Sequence, residues 1–452
     1  LMNSSTQAGV EPPAPAEPPV VVVATPQPDL PVGVGKIDFY FIPLSTEEEL
    51  AMETLARAFN EAYPDSFVNV RTNYNLRDDL NFAKGFAEQF DCYTWYSPYW
   101  DDPTQAEYML DLNSFFDSAP AEFSQDFYPA QLNAYRYEGV YYGVPAVSQP
   151  EVMYYNADLL ERRGLPLPSN DWTFDQFLEM ARAAASTDPQ DSSYGYLYDE
   201  WEDLIFEGLQ IPWAEMEDFT EPQANFNGPD TLAHLNWLVE QENNHVIFLR
   251  YDTSWSSTQR ALAAGEIAFW PGKAGDPFAD YSAEAIEPGY RVGVAPMPRV
   301  QGESVGYSIN RGYFISPEGQ NPQLCWDWIT FLSAQPNAMS GIPARRSVGE
   351  SAAWEARVGP AEAAVYRTAL EIYEENPYNL IGGPYYTWRH DAVAAALRGD
   401  EIEPFLAILQ RKADEYLTCI LAVDRAQLAY NELQDEVLGC AKKADPQGKY
   451  WP

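Results

Sequence analysis

Residues 36–98 have the sequence KIDFYFIPLSTEEELAMETLARAFNEAYPDSFVNVRTNYNLRDDLNFAKGFAEQFDCYTWYSP. Alternating apolar residues in KIDFYFIP predict a strand, and SFVNVRTNY and FDCYTWYSP predict two more. Between them lie two helical patterns: EEELAMETLARAFNEAYP, which Ser45 and Thr46 cap and Pro64 ends, and LRDDLNFAKGFAEQ. This alternation of strands and helices predicts a parallel α/β lobe.

The third strand runs into an aromatic stretch, FDCYTWYSPYW, residues 90–100, in which six of eleven residues are aromatic. Ligands of parallel α/β sheets bind beyond the carboxyl ends of the strands, which is where this stretch lies. Flat aromatic side chains there suit the C–H faces of sugars. We interpret the stretch as one wall of a ligand cleft. A core strand that continues into an irregular loop is the alternative.

Length and charge restrict the function further. A chain of 452 residues is too long for one hydrophobic core, so two or more lobes are expected. The 68 acidic and 27 basic residues give a formal net charge of -41. This charge repels nucleic acids and anionic lipids, so neither is expected as a partner. It also disfavours an anionic ligand, and a neutral or cationic ligand fits better.

No apolar run approaches the roughly eighteen residues that span a bilayer, and no signal peptide is recognisable, so a cytosolic or an already processed chain is expected. The four cysteines show no CxxC spacing and the chain has only three histidines, which argues against zinc, thioredoxin-like and histidine-based metal sites. A Cys419–Cys440 disulfide stays open. One continuous helix would hold the two residues about 30 Å apart, so the bridge requires a bend, and Asp424 could start a second helix.

Residues 1–35 are rich in proline and poor in residues that could form a core. We predict an extended spacer, up to about 100 Å long in the polyproline conformation, that holds the folded part away from a surface. A tail without a role is the alternative.

Further along the chain, several motifs follow one another in a fixed order. Residues 141–181, YYGVPAVSQPEVMYYNADLLERRGLPLPSNDWTFDQFLEMA, predict paired strands around Gly143 and Pro145 and then a helix with Thr173 as its cap. The motifs that follow are ALAAGEIAFWPG (261–272), VGVAPMP (292–298), IPARRS (342–347) and AAALRGD (394–400).

With these motifs in this order, the chain from about Lys36 to about Leu417 resembles the family 1 extracellular solute-binding proteins of ABC importers, the maltose-binding-like group. The resemblance implies an α/β, two-lobed periplasmic-binding-protein type II fold. Each lobe would be a mixed sheet flanked by helices, with a hinge and a ligand cleft between the lobes. The implied boundaries are a Pro-rich spacer at 1–35, lobe one at 36–145 and 292–333, lobe two at 146–291 and 334–420, and a helical C-terminal extension at 421–452.

Ligand-binding residues are expected at strand ends and at the motif positions that the family uses. Four candidates follow the third strand: Trp95, Tyr96, Trp100 and Asp101. The others follow the crossings between lobes, belong to lobe two or precede the last helices: Gln149, Glu151, Trp201, Trp270, Tyr307, Arg311, Tyr386 and Trp388.

Each of these aromatic residues has a structural alternative, because Trp and Tyr are commonly buried. We interpret Trp172 and Trp328 as packing residues. Asp101 has the alternative of a solvated surface residue. Arg311 is either a ligand contact or half of a hinge ion pair, and the sequence leaves both open.

One enzyme motif occurs: GESVG, residues 302–306, matches the Gly-x-Ser-x-Gly nucleophile elbow. That elbow needs a strand before it and a helix after it. Here a strand follows, and His390 is the only histidine downstream. We interpret the motif as a hairpin turn. No carboxylate pair is singled out for glycoside hydrolysis, and no Walker or dinucleotide motif occurs, so no catalytic residue, cofactor or metal is expected.

The leading hypothesis is an extracellular, cell-surface or periplasmic binding protein that captures a carbohydrate, an oligosaccharide above all. It would deliver this ligand to the membrane permease of an ABC importer, and bound ligand would favour the closed form. A polyol or polyamine ligand stays open, because the scaffold does not determine the ligand and acidic charge attracts cations.

The alternative hypothesis is structural. A monomer is expected, but PPVVVVATP, within residues 1–35, could add as a strand to the sheet edge of a neighbouring copy. A homopolymer, filament or surface layer would result.

Overall fold

The computed structural model describes residues 32–72, 82–98, 103–198, 204, 214–215, 223–249, 255–278, 281, 286–304, 306, 308–372, 382–424, 428 and 430–448. The strands are β1 (Gly35–Tyr40), β2 (Ser66–Arg71), β3 (Cys92–Tyr96), β4 (Arg136–Tyr137), β5 (Val140–Tyr141), β6 (Val144–Asn156), β7 (Tyr194–Tyr198), β8 (Ala214–Glu215), β9 (Gln223–Ala224), β10 (Ile247–Leu249), β11 (Ile267–Lys273), β12 (Val292–Pro296), β13 (Arg299–Val300), β14 (Glu303–Ser304), β15 (Ser308–Ile315) and β16 (Ile342–Pro343).

The helices are α1 (Thr46–Ala62), α2 (Phe82–Gln89), α3 (Asn113–Ser118), α4 (Ala121–Gln125), α5 (Pro129–Ala134), α6 (Ala157–Arg162), α7 (Phe174–Ala184), α8 (Pro229–Asn243), α9 (Trp255–Ala264), α10 (Pro322–Ser333), α11 (Arg346–Gly349), α12 (Ala352–Val358), α13 (Pro360–Ile372), α14 (Gly383–Leu397), α15 (Ile402–Ile420) and α16 (Tyr430–Ala444), with a 3₁₀ helix at Pro103–Tyr108. None of these helices is long and apolar enough to cross a bilayer.

The first elements form as the sequence predicts. Ser45 accepts a hydrogen bond from the backbone N–H of Glu48 and so caps α1, while Thr173 and Gln176 form a capping box at the start of α7. β1 pairs in parallel with both β2 and β3, and α1 and α2 connect the three strands. The parallel α/β lobe predicted for residues 36–98 is therefore confirmed over the part that the structure describes.

One strand, β6, joins the two halves of the main sheet. The strands follow the order β10-β7-β11-β6-β15-β3-β1-β2, and β12 and β16 also pair with β6. The N-terminal part of β6 pairs with β15 and β16, whereas its C-terminal part pairs with β11 and β12. We call the half with β1, β2, β3, β15 and β16 the first lobe. The second lobe is the half with β7, β10, β11 and β12.

The region around Gly143 and Pro145 differs from the predicted pair of strands. β5 pairs with β4, and residues Val144–Asn156 form a single buried strand of 13 residues. The pairing of β6 with β15 shifts register between Arg311 and Gly312, so Ala146 is an extra residue. Such a bulge accommodates Pro145, which has no N–H for the ladder.

Each lobe has its own core. Trp328 on α10 is fully buried in the first core beside Phe39 and Phe59, with ring centroids 5.8 and 5.2 Å away. Trp172 lies in the second core, where its indole N–H donates to the carbonyl of Pro296 at 2.8 Å. Both residues pack as predicted.

Strand pairing places two segments differently from the implied lobe boundaries. β12, implied in lobe one, pairs with the C-terminal part of β6, and Met297 after it lies in the second core. β16 and Ala344, implied in lobe two, belong with the N-terminal part of β6 and the first core. We therefore propose that the chain returns to the first lobe between residues 297 and 308 and leaves it after residue 344.

Two disulfides form, one within each lobe. Cys92 on β3 is bonded to Cys325 on α10, a pair 233 residues apart in sequence. Cys419 on α15 is bonded to Cys440 on α16, where the break between the two helices supplies the bend that this pair requires. The second pairing was left open by the sequence, and the first was not foreseen because its partners lie on distant elements.

Candidate ligand-binding site at the strand crossover

The point where β6 passes from one lobe to the other brings several strand ends together. We call this region, Val147–Glu151 of β6 with its paired neighbours, the crossover. Ser308–Arg311 of β15 lie opposite Pro150–Val147, and Lys273, the last residue of β11, lies opposite Glu151. β3 ends beside the same place, since Tyr96 is paired with Arg311. Strand ends at a change of sheet direction are where α/β proteins bind ligands.

A buried ion pair supports the first-lobe side of the crossover. Arg311 donates to both carboxylate oxygens of Glu48, with Nη2 2.5 Å from Oε1 and Nη1 3.2 Å from Oε2. Glu48 also accepts from the backbone N–H groups of Leu44 and Ser340. The carboxylate thus ties together α1, β15, the loop before α1 and the loop before β16. Arg311 is therefore half of a buried ion pair within the first lobe, and a ligand contact by Arg311 stays a prediction.

The electrostatics of Glu48 follow from these contacts. Burial by itself raises the pKa of a carboxyl group, but the charge and hydrogen bonds of Arg311, with the two backbone donors, lower the pKa of Glu48 below its ordinary value. Glu48 therefore stays ionised and holds Arg311 in place.

Small polar side chains continue the crossover next to this pair. The hydroxyl of Ser148 donates to Oδ1 of Asn310, and Ser308 lies 3.3 Å from the same oxygen. The backbone N–H of Ser97, just after β3, donates to the carbonyl of Asn310 at 2.9 Å. These bonds link the end of β3 to β15 and β6.

Gln149 is the residue of the crossover best suited to bind a ligand. Only 4% of its surface is exposed, and its side-chain amide has no hydrogen-bond partner among the residues that the structure describes. A carboxamide can donate two hydrogen bonds and accept two, and neither amide atom of Gln149 is among the fully enclosed polar atoms that lack a partner. The amide is therefore able to exchange hydrogen bonds with a hydroxyl group of a ligand.

Gly341 allows Gln149 to occupy this position. A Cβ atom on Gly341 would lie 2.7 Å from Cγ of Gln149 and 2.9 Å from the carbonyl oxygen of Ser148. Its φ of +115° also favours glycine. The indole N–H of Trp354 donates to the carbonyl of Gly341 at 3.2 Å and fixes this loop.

A second buried ion pair lies on the second-lobe side. Nζ of Lys273 is 3.0 Å from Oε1 of Glu151, and only 10% and 7% of the two side chains are exposed. Tyr154 on β6 donates to the carbonyl of Lys273 at 2.9 Å and so anchors the end of β11. Glu151, a candidate from the sequence, is thus placed at the crossover together with a cation.

The aromatic residues at the end of β3 are half-buried. The ring centroids of Trp95 and Tyr96 are 5.2 Å apart, and Trp95 also packs against Phe86 of α2 at 4.9 Å. The contact with Phe86 ties this pair to the first lobe, and the partial exposure of both residues leaves part of their surface accessible.

Three candidates lie away from the crossover. Trp270 is fully buried in the second lobe, and its indole N–H donates to the carbonyl of Pro277 at 2.8 Å. Trp388 on α14 is fully buried in the second core beside Tyr385. Tyr386 is 40% exposed, with the guanidinium of Arg389 4.9 Å from its ring centroid. The crossover therefore gathers Trp95, Tyr96, Gln149, Glu151 and Arg311 from the candidates.

Trp100, Asp101, Trp201 and Tyr307 lie outside the described residues. Glu48, Ser148, Lys273 and Asn310 lie at or beside the crossover but were not singled out from the sequence. Glu48 occupies the fourth position of the pattern Ser45-x-x-Glu48, which predicts a capping role for its side chain. The pattern gives no indication of the ion pair with Arg311. Lys273 directly follows the motif ALAAGEIAFWPG, and this position next to a family motif is the feature of the sequence that could have identified it.

The structure also describes the enzyme-like motif. β13 and β14 form an antiparallel hairpin with Gln301 and Gly302 at its turn, and β15 follows. Gly302 therefore lies at a hairpin turn and Glu303–Ser304 form its second strand, as the hairpin interpretation predicts, while Val305 of the motif lies outside the described residues. Within the described ranges, no group of three or more His, Cys, Asp or Glu side chains could hold a metal ion.

A surface depression of about 520 Å³ lies elsewhere, between α1 and β2. Asn60 fills part of it, donating to the carbonyl of Val68 at 3.1 Å and accepting from its N–H at 2.8 Å. The depression contains none of the crossover residues, so the ligand site rests on the polar and aromatic groups at the strand ends.

Comparison with known proteins agrees with this architecture. The chain is similar to an ABC substrate-binding protein from Listeria monocytogenes in complex with cycloalternan (16% identity, TM-score 0.61, covering 85% of this chain and 99% of that one). It is also similar to the GacH receptor of Streptomyces glaucescens, described in complex with acarbose (18%, 0.61, 85% and 98%), and to maltose-bound T. maritima MalE3 (19%, 0.61, 84% and 99%). At these identities the likeness concerns the fold, and it confirms the two-lobed periplasmic-binding-protein type.

The family assignment rests on a match to a sequence family. The family model described as bacterial extracellular solute-binding protein matches residues 43–339, which include β3, β6, β11 and β15 and end in the loop before β16. This match covers more than half of the 452 residues. The chain therefore belongs to the family of bacterial extracellular solute-binding proteins.

Proposed function

We propose that this protein binds a carbohydrate, an oligosaccharide above all, at the crossover between its lobes and hands it to an ABC importer without chemical change. The observation that carries the proposal is Gln149, whose side-chain amide makes no hydrogen bond to a described residue and which lies at the same strand ends as the aromatic pair Trp95–Tyr96. Aromatic faces and amide groups are the two kinds of side chain that bind the C–H patches and hydroxyls of sugars.

The ligands of similar proteins support a saccharide. Cycloalternan, acarbose, maltose and mannotriose are bound by four proteins of this fold, while UgpB from Mycobacterium tuberculosis is described in complex with glycerophosphocholine. The fold therefore accepts several ligand classes, and the choice rests on the groups at the crossover.

Ligand release and uptake would follow a two-state motion. The lobes are connected through β6 and, in the boundaries proposed above, through the chain between residues 297 and 308 and after residue 344. A ligand that contacts both lobes favours the closed form because it binds that form more tightly than the open one. The partner is then the membrane permease, which recognises the closed form of a monomeric binding protein. The pairs Cys92–Cys325 and Cys419–Cys440 support an extracellular location, because disulfides persist in oxidising compartments.

Self-assembly through residues 1–35 is the weaker alternative. Strand addition requires a free sheet edge, and β2 is the edge strand of the first lobe. Both outward backbone groups of Val68 on β2 are already bonded to the side chain of Asn60. The middle of this edge is therefore closed to a further strand.

A thermal-shift and calorimetric screen of the full chain against oligosaccharides, polyols and polyamines tests the proposal. An oligosaccharide at a hundred times its Kd is expected to stabilise the folded protein by roughly 2.7 kcal/mol. The melting temperature should rise accordingly. Gln149→Ala and Trp95→Ala should each weaken its binding. Phe67→Ala, which removes an aromatic residue that is 50% exposed on β2, is the matched control and should bind normally. Absence of binding to every saccharide would overturn the proposal.

A further inference from the structure

The backbone of Gly341, in the loop before β16, is in close contact with three segments of the chain. A Cβ atom on Gly341 would lie 2.7 Å from Cγ of Gln149 on β6. The backbone N of Gly341 lies 2.7 Å from the position that a Cβ atom on Gly275 would occupy. Its carbonyl accepts a hydrogen bond of 3.2 Å from the indole of Trp354. The side chain of Gln149 therefore packs on a residue that is contacted at its N and at its carbonyl group.

Two of these three contacts come from the second lobe. Gly275 lies two residues beyond the end of β11. Trp354 on α12 is fully buried, in a core cluster that also contains Trp270 of β11. Gly341 itself leads into β16, which pairs with the first-lobe part of β6. The contacts at Gly341 therefore join the two lobes directly beside Gln149.

The side chain of Trp354 is held in place by α13. The guanidinium of Arg367 on this helix lies over the indole, 5.2 Å from the ring centroid. The hydroxyl of the neighbouring Tyr366 shares a hydrogen bond of 3.0 Å with the hydroxyl of Tyr154 on β6. An indole has a single N–H to donate, so a buried and packed indole directs it to one acceptor. The carbonyl of Gly341 is thereby held in one position.

We propose that Trp354 and Gly275 are positioning residues for ligand binding, and that they orient the amide of Gln149 through the backbone of Gly341. This inference rests on the proposed function for the role of Gln149, and it adds two residues of the second lobe that act on the ligand through it. The amide is oriented for a ligand only when the second lobe holds Gly341 in this arrangement. Ligand affinity thus depends on how the two lobes are placed.

The conformational freedom of glycine is the reason that these contacts are needed. Gly341 and Gly275 have φ values of +115° and +128°, in the region that glycine adopts readily and other residues avoid. Without the indole donor the carbonyl of Gly341 is free to rotate, and the side chain of Gln149 that packs on it moves as well. Because N–H···O distances in proteins lie at about 2.7–3.2 Å, a displacement of about 1 Å weakens a hydrogen bond to the ligand.

Trp354→Phe tests the contact at the carbonyl, because it keeps an aromatic ring in the core and removes the N–H. Trp172→Phe is the matched control, since Trp172 is also buried and its indole donates to the carbonyl of Pro296 in the second core. Isothermal titration of the full chain with maltose and mannotriose measures binding, and urea unfolding measures stability. Both variants should lose similar stability, whereas only Trp354→Phe should weaken saccharide binding, by about five- to tenfold. Binding by Trp354→Phe within about twofold of the wild type would overturn the inference.

Combining Trp354→Phe with Gln149→Ala shows whether the indole acts through Gln149. Once the amide is removed, Trp354→Phe should change the dissociation constant by less than about twofold. A further loss as large as in the wild-type background would show that the indole affects the ligand by another route, which contradicts the inference.

A measurement without ligand examines the same connection. In protein labelled with ¹⁵N-glutamine, the side-chain amide signals of Gln149 are those that disappear in Gln149→Ala. They should shift in Trp354→Phe and in Gly275→Ala, whose added Cβ would collide with the backbone N of Gly341. They should keep their position in Gly302→Ala, the matched control, because Gly302 also has a positive φ but has open space around it. Unmoved signals in either of the first two variants would contradict the inference.

The two proposals fail in different ways. If no saccharide binds to the wild type, the proposed function fails, and the amide signals of Gln149 still decide whether Trp354 and Gly275 position it. If saccharides bind and Gln149→Ala weakens their binding while Trp354→Phe does not, the inference fails and the proposed function stands. If Trp354→Phe does not fold, Gly275→Ala decides the inference by comparison with Gly302→Ala. Weaker saccharide binding with shifted amide signals then supports it, and unchanged binding or unchanged signals contradict it.

Discussion

The two lobes each place one buried ion pair beside β6, and the two pairs are built differently. Glu48 and Arg311 are 1% and 3% exposed, and the carboxylate of Glu48 accepts two further backbone hydrogen bonds. The side chains of Glu151 and Lys273 are slightly more exposed, and the pair connects β6 to the last residue of β11. The first pair connects four segments of one lobe to one another, whereas the second pair connects two neighbouring strands. Similar chemistry therefore stabilises several loops and elements in one lobe and a single strand pairing in the other.

Removing the disulfides should show the largest difference between the lobes. In the chain-entropy description, the stabilisation by a disulfide grows with the length of the loop that it closes. The two loops span 233 and 21 residues of sequence separation. We expect Cys92→Ala/Cys325→Ala to lower the free energy of unfolding by about 5 kcal/mol and Cys419→Ala/Cys440→Ala by about 3 kcal/mol. Urea unfolding of both double variants measures this, and a larger loss at the short loop would contradict the expectation.

Breaking the ion pair between Glu48 and Arg311 should have the next largest effect. Glu48→Gln keeps the shape of the side chain but leaves Arg311 buried without a counter-charge, which should cost about 3–5 kcal/mol in the free energy of unfolding. Glu355→Gln removes a more exposed pair with Arg367, whose side chains are 39% and 27% exposed, and should cost less than about 1 kcal/mol. Equal losses in the two variants would show that burial does not distinguish the pairs.

The same ion pair predicts a dependence on pH. The pKa of Glu48 is lower in the folded protein than its ordinary value of 4.5, because Arg311 and the backbone donors outweigh the effect of burial. Its contribution to stability is therefore present above about pH 4.5 and is lost as the pH falls through the folded-state pKa. The difference in melting temperature between wild type and Glu48→Gln should narrow below that pH, and a constant difference would argue against the assignment.

Gly341→Ala should have a smaller effect on stability and a specific effect on binding. The added Cβ would collide with Cγ of Gln149, so the amide should move, and ligand affinity should fall about tenfold, equivalent to roughly 1.4 kcal/mol. Gly302→Ala is the matched control, because Gly302 also has a positive φ, of +90°, but has open space around it. It should cost about 1–3 kcal/mol of backbone strain without changing ligand affinity. An unchanged affinity in Gly341→Ala would remove Gln149 from the site.

Several predictions of local structure depended on contacts between neighbours in sequence, and these are confirmed. The cap at Ser45, the capping box at Thr173 and the hairpin turn at Gln301–Gly302 each involve residues within a few positions of one another. The order of the motifs also carried enough information to predict the family and the two-lobed fold. For the lobe boundaries we propose positions that differ from the implied ones, since β12 and β16 pair with parts of β6 that are more than a hundred residues away.

The sequence by itself determined the alternation of strands and helices, the excess of negative charge, the two-lobed scaffold and the presence of Gln149 and Glu151 near the crossing between lobes. Only the tertiary structure decided which charges meet: Glu48 with Arg311, 263 residues away, and Glu151 with Lys273, 122 residues away. It likewise placed Trp270 and Trp388 in the core although their sequence context resembles that of ligand-binding residues. The reason is physical. Propensity and periodicity act over one or two turns of chain, whereas burial and ion pairing depend on which distant segments pack together.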